Sequence, residues 1–122
     1  MNWNFQSDRP IYVQLKEQIK LMIISGTYPA GAKLPTVRDL ASEASVNPNT
    51  LQKALIELER EGLVYTQRTI GRFVTEDENM ITDAKKELAY EQIEHILKKL
   101  LEMGYTREEI LALVESKVRE MK

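Results

Sequence analysis

The stretch that most constrains this chain is Asn47-Pro48-Asn49-Thr50-Leu51, which reads as the start of a helix. Asn is among the best N-caps, because its side-chain oxygen accepts from a backbone N–H of the first turn. Pro suits the first helical position, where its missing N–H is not needed. Leu51, Ala54, Leu55 and Leu58 then fall at i, i+3, i+4 and i+7, a single apolar face, and Gly62 ends the run. A helix of this kind must hide one side in its own domain. At about 100° per residue, the side left over carries Asn49, Gln52, Lys53 and Ile56.

The neighbouring segments define what that helix packs into. Helical spacing of Ile11, Leu15, Ile19, Met22 and Ile23 predicts a first helix starting near Pro10 and stopping at Ser25-Gly26. Thr27 to Gly31 reads as a loop. Thr36 caps a short second helix with Val37, Leu40, Ala41 and Ala44 on its apolar side, and Asp39 gives it the look of a capping box. After Gly62, Leu63–Arg68 and Arg72–Thr75 are rich in β-formers around Thr69-Ile70-Gly71, a hairpin pattern. Three helices and then a hairpin is the order of a winged helix-turn-helix, so the fold class predicted is mainly α with a β-hairpin wing.

From Glu76 to Thr82 the chain turns acidic and polar, which suggests a boundary: residues 1–75 as one domain and 76–122 as a helical tail. In the tail, Ala89, Ile93, Ile96, Leu97 and Leu100 share one side of a fourth helix, closed by Gly104. Thr106 and Glu109 make a capping box for a fifth, with Ile110, Leu113, Val114, Val118 and Met121 as its stripe. Two short amphipathic helices need a partner surface. Pairing with a second copy is the economical solution, with folding back onto the head of a monomer as the alternative.

Composition sets outer limits. The 122 residues are 43% hydrophobic and 30% charged, which are globular values. The absence of cysteine excludes disulfides and thiolate metal sites. The longest aliphatic stretch, Leu21–Ile24, is far short of a membrane span, and Met1-Asn2-Trp3-Asn4 has neither the basic region nor the apolar core of a secretory signal. A cytoplasmic protein is expected. The net charge of −2 runs against a polyanion partner, but it is unevenly placed. Residues 1–75 carry nine Lys+Arg against seven Asp+Glu, and residues 76–122 carry eight against twelve. A weakly basic head with an acidic tail still suits DNA, since local potential governs the contact.

Candidate DNA contacts follow from residue chemistry. Asn49 and Gln52 can donate and accept at base edges, and Lys53 can reach guanine or a phosphate. Pro48, Asn49 and Thr50 sit at the end of the helix that usually enters the major groove. Asn47 and Thr50 flank backbone N–H groups that attract phosphate. Arg38 lies where the second and third helices would meet, and Arg68 and Arg72 flank the wing turn, placed for backbone or minor-groove contact. Each of these also has a plain reading as a solvated surface residue.

Taken together, GTYPAGAKLPTVRDLA followed by NPNTLQKALIELEREGLVYTQRTIGRFV resembles the GntR family of bacterial transcription regulators over positions 10 to 75. The resemblance lies in a Pro/Gly loop, LP[ST]xRxLA, a recognition helix, a Gly-Leu-Val step and a Gly-containing wing ending in Phe-Val. It implies DNA contacts at Thr36 and Arg38 of LPTVR, at Asn47, Pro48, Asn49, Thr50, Gln52 and Lys53, and at Gly71 and Arg72 of the wing. The chain departs from the family pattern where Pro48 and Gln52 replace arginines and Thr69 replaces the first wing glycine. The short two-helix tail resembles the YtrA subgroup. That implies a dimeric repressor on an inverted-repeat operator, with control of a transporter operon and a small-molecule effector as further expectations.

Catalysis finds little footing. His95 is the single histidine, with Glu91 four residues before it, and a metal site usually needs three or more ligands. No glycine-rich phosphate loop is present. The expectation is a non-enzyme without a cofactor, and the rival reading is a winged helix used only for protein contacts.

Overall fold

The computed structural model describes residues 3–121. Helices α1 (Ile11–Ile24), α2 (Val37–Ala44) and α3 (Pro48–Arg60) precede a hairpin of β1 (Val64–Gln67) and β2 (Gly71–Val74). Helices α4 (Glu78–Glu102) and α5 (Arg107–Glu120) follow. The head is a winged helix-turn-helix, as the sequence predicts.

The core forms around α3. Its Leu51, Ala54, Leu55 and Leu58 are at most 1% exposed. They meet Leu15, Ile19 and Ile23 of α1, Leu40, Ala41 and Ala44 of α2, and Leu63, Val64 and Val74 of the hairpin in one cluster. Each large aliphatic side chain so hidden contributes roughly 1.5–3 kcal/mol relative to exposure.

Short caps fix where the helices begin. The Thr36 hydroxyl accepts from Asp39 N at 3.1 Å, and Asn47 Oδ1 accepts from Asn49 N at 2.8 Å. Between α2 and α3, Ser45 sits in the left-handed region at φ 56°, and Val46 N donates back to Ala41 O at 2.9 Å. That closure sets the tight turn between the two helices.

Helix α1 differs from its expected stripe. Pro10 stands just before the helix, and Ile11 is 44% exposed. Gln14 is buried instead: its side chain accepts from Gln6 N at 2.6 Å and donates to Gln6 O at 2.8 Å and Arg9 O at 2.9 Å. One amide thereby ties the N-terminal arm to α1 and leaves none of its own polar atoms unsatisfied. The hairpin also gains a third member. Leu34 N donates to Arg72 O and Val74 N to Ala32 O, each at 2.9 Å, so residues 32–34 pair with β2.

Contacts divide the chain into two compact units, one ending at Ala84 and the other beginning at Lys85. The division lies inside α4, not at the acidic stretch after position 75. Asp77 accepts from Asn79 N and Met80 N and so starts the helix early, and Ile81 and Ala84 pack against the head's core. In the second unit the expected Thr106–Glu109 capping box is formed. Among the described residues of that unit only Ile110 is buried, while Ile93, Ile96, Leu113, Val114 and Val118 lie exposed.

Glu61, just past α3, receives Lys20 Nζ at 2.5 Å and Lys16 Nζ at 2.9 Å from α1. Burial pushes its carboxyl up, but the two lysines outweigh that and hold it below the ordinary 4.5. The Lys16 ammonium is raised above 10.5, chiefly by its hydrogen bond to Glu61. The carboxylate's contribution is full above 4.5 and is lost as pH falls through the depressed value; that of Lys16 is full below 10.5 and is lost as pH rises through the raised value. Thermal melts of Glu61→Gln should therefore fall below wild type near pH 7, and the gap should narrow as pH falls from 4.5 through the depressed value. A gap that stays constant as pH falls contradicts this role.

Candidate nucleic-acid interface

With its apolar face turned inward, α3 has two flanks and an outer side. One flank is held by the wing: Glu59 Oε1 accepts from Arg72 Nε at 2.8 Å and from the Thr66 hydroxyl. The other is held by α1: Lys53 Nζ lies 3.9 Å from the centre of the Tyr12 ring, and Glu61 takes Lys16 and Lys20. What remains outward is Asn49, Gln52 and Ile56, all exposed, with Arg60 folded onto Glu57 at 2.8 Å. Asn49, Gln52 and Ile56 are thus the exposed residues along this side of α3.

The expected contact residues separate into groups. Asn49 and Gln52 present their amides outward. Thr36 and Asn47 spend a side-chain oxygen on caps, so their part is to order two helix starts whose backbone N–H groups face solvent. Pro48 is exposed and Thr50 half-buried at the same end. Arg38 and Arg68 are exposed, and among the described residues neither has an ion-pair partner. Lys53 keeps its charge at the surface while its ammonium rests on Tyr12, an attraction worth ~0.5–1 kcal/mol at exposed sites.

Arg72 has a structural partner that the sequence does not reveal. It belongs to β2, its side chain is 20% exposed, and its Nε is committed to Glu59. It still flanks the wing turn and also joins the wing to α3. The tip itself is Arg68-Thr69-Ile70. Thr69 takes φ 65°, an unfavourable region for a β-branched residue, where the family pattern has glycine. Ile70 is 53% exposed.

Lys33 is the functional candidate that sequence reasoning missed. It pairs with Phe73 in the ladder and lies across Gly71, where a Cβ would stand 3.1 Å from Lys33 Cε. Gly71 also has φ +138°, so its role is to make room. Lys33, Thr36 and Gly71 line a groove of about 230 Å³ between the start of α2 and the wing. A cation beside a helix start is a favourable place for phosphate. The signal was present in Lys33-Leu34-Pro35, but only the strand pairing shows that Lys33 turns toward the wing.

The acids near this face are mostly spoken for. Glu57 pairs with Arg60, Glu59 with Arg72, and Glu43 accepts from Trp3 Nε1 at 3.3 Å. Lys33, Arg38 and Arg68, together with Lys53 on the Tyr12 ring, are left as cations without an acidic partner among the described residues. Elsewhere, His95 is exposed on α4, and among the described residues no three His, Cys, Asp or Glu come together to hold a metal ion. Trp3, Phe5 and Tyr28 pack on the core, Tyr65 stacks on Phe73 at 5.6 Å, and Tyr90 and Tyr105 are exposed. None of the described helices is long and apolar enough to cross a membrane.

Comparison with known proteins gives a consistent result. Residues 11–74 match the model for bacterial regulatory proteins of the gntR family. The HTH-type transcriptional repressor YtrA of Bacillus subtilis (strain 168) is 38% identical over 93 residues, covering 75% of this chain and 72% of its own. A GntR family transcriptional regulator from Listeria monocytogenes superposes with a TM-score of 0.86 at 38% identity, over 92% of this chain and 98% of that one. AraR(DBD), solved in complex with an operator, gives 0.57 at 31% identity over 62% of this chain and 96% of its own.

The wing's attachment can be tested directly. A double-mutant cycle of Arg72→Ala and Glu59→Ala should show coupling on the order of 1 kcal/mol in urea melts. Additive effects of the two substitutions contradict the pairing.

Proposed function

The chain belongs to the gntR family of bacterial regulatory proteins and to its YtrA subgroup, and from that premise we propose that it is a dimeric repressor that reads an inverted-repeat operator with the outer strip of α3. The family's members are DNA-binding transcription regulators, not enzymes. The observation that carries the reading is the geometry of α3: an exposed strip bearing two amides, bounded by cations, between two flanks already occupied by the wing and α1. Amide side chains are suited to adenine edges, and bidentate contacts of that kind discriminate by about 1–3 kcal/mol each. Acting on chromosomal DNA, the protein works in the bacterial cytoplasm.

Dimerisation is supported by the tail. Ile93 and Ile96 of α4 and Leu113, Val114 and Val118 of α5 are each at least 44% exposed, and contiguous exposed apolar side chains mark an interaction surface. A second copy is the self-complementary cover for such a face. Two heads on a two-fold axis then meet half-sites one helical turn, or a multiple of it, apart. Control of a transporter operon is the further physiological expectation drawn from the subgroup resemblance in the sequence.

Two measurements check these statements. Fluorescence anisotropy on a duplex selected by the full-length chain from a randomised pool should show affinity falling with salt at a log–log slope of about −5, for Lys33, Arg38 and Arg68 in each of two copies. Asn49→Ala and Gln52→Ala should reduce the gap between selected and scrambled duplexes, whereas Arg38→Ala and Arg68→Ala should weaken both alike. Salt-independent binding, or no saturable binding at low salt, contradicts the assignment. Separately, Ile96→Asp should convert a dimer to a monomer in light scattering while the head's circular dichroism persists; a monomeric wild type contradicts the tail's role.

A further inference from the structure

Ile56 is the odd residue of the outer strip. It is 40% exposed in the middle of a face otherwise made of amides and charges. The core does not need it: Leu51, Ala54, Leu55 and Leu58 already fill α3's inner side. The flanks do not use it either, since the wing is held through Glu59 and α1 meets Lys53 and Glu61. At about 100° per residue, Ile56 projects about 40° from Gln52 and about 20° from Asn49. It therefore points where the two amides point, roughly 10 Å along the axis from Asn49, or about three base-pair steps.

Within a major groove only one base feature rewards an aliphatic side chain. Guanine, cytosine and adenine present acceptors and donors there, and thymine presents its C5 methyl. Opposite any polar edge, Ile56 would strip water without replacing the hydrogen bond, which is unfavourable. We propose that Ile56 is a specificity-determining residue that reads a thymine methyl, about three base pairs further along each half-site than the base met by Asn49. The inference rests on the DNA-reading role of α3 given above and adds the class of base that the strip selects.

The test removes the methyl and nothing else. In the duplex selected by the full-length wild-type chain, each thymine is replaced in turn by deoxyuridine, and binding is measured for wild type and Ile56→Ala. One thymine per half-site should lose about fourfold in wild-type affinity, the effect of one buried methyl. Ile56→Ala should bind the thymine and uracil duplexes equally. Ile56→Val, which keeps a branched apolar end, should retain most of the preference and shows that loss in the Ala variant is not misfolding. Saturable wild-type binding with no thymine dependence anywhere, or an unchanged uracil penalty in Ile56→Ala, overturns this inference alone. Failure of the wild type to enrich or bind any duplex overturns the DNA-reading role as well.

Discussion

Burial of Leu51, Ala54, Leu55 and Leu58 fixes the rotation of α3 about its axis, and nearly every functional feature follows from that rotation. Once those four side chains are inside, Glu59 must face the wing, and Lys53 and Glu61 must face α1. Asn49, Gln52 and Ile56 have nowhere to go but out. A turn of the helix by one position would place Gln52 in the core and expose Leu51, with the cost of an unsatisfied buried amide added to the lost apolar burial. The packing that holds the head together is thus also what decides which side chains of α3 face outward.

Charge follows the same division of labour. The head carries more acids than a strongly basic DNA binder would, yet they are used in pairs that brace elements against one another. Glu59 with Arg72 attaches the wing, and Glu61 with Lys16 and Lys20 attaches α1 to the end of α3. Such pairs remove cations from the head's free charge and leave Lys33, Arg38 and Arg68, with Lys53 on the Tyr12 ring, without an acidic partner among the described residues. Few contacts per head make a second head valuable, because a linked pair of sites binds through effective concentration. Under the proposed dimer, the exposed apolar side chains of α4 and α5 would supply that second head.

Much of this was legible in the chain. The Asn47-Pro48 start and the i, i+3, i+4, i+7 run gave α3 within its observed bounds, and Thr36 and Thr106 gave two further helix starts, because caps and apolar periodicity are local chemistry. Non-local pairing was not legible. Gln14 looks like a solvated glutamine until the N-terminal arm folds over it. Lys33 looks like a loop lysine until residues 32–34 join β2, and Arg72 looks like a wing-tip cation until Glu59, thirteen residues away, is brought beside it. The acidic stretch after position 75 read as a boundary, but Asp77 caps α4 there and Ile81 returns to the core. Composition marks where charge changes, and only packing marks where a compact unit ends.

The most direct test of the central claim is an amide and side-chain NMR titration of the full-length chain with its selected duplex. The side-chain amides of Asn49 and Gln52 and the methyls of Ile56 should shift strongly and saturate together, with backbone shifts at Thr36, Asn47 and Arg68, while Tyr12, Lys16 and Lys20 on the α1 flank stay nearly still. Large shifts on the α1 flank with a silent outer strip would mean that α3 is aimed away from the duplex, and the account would fail.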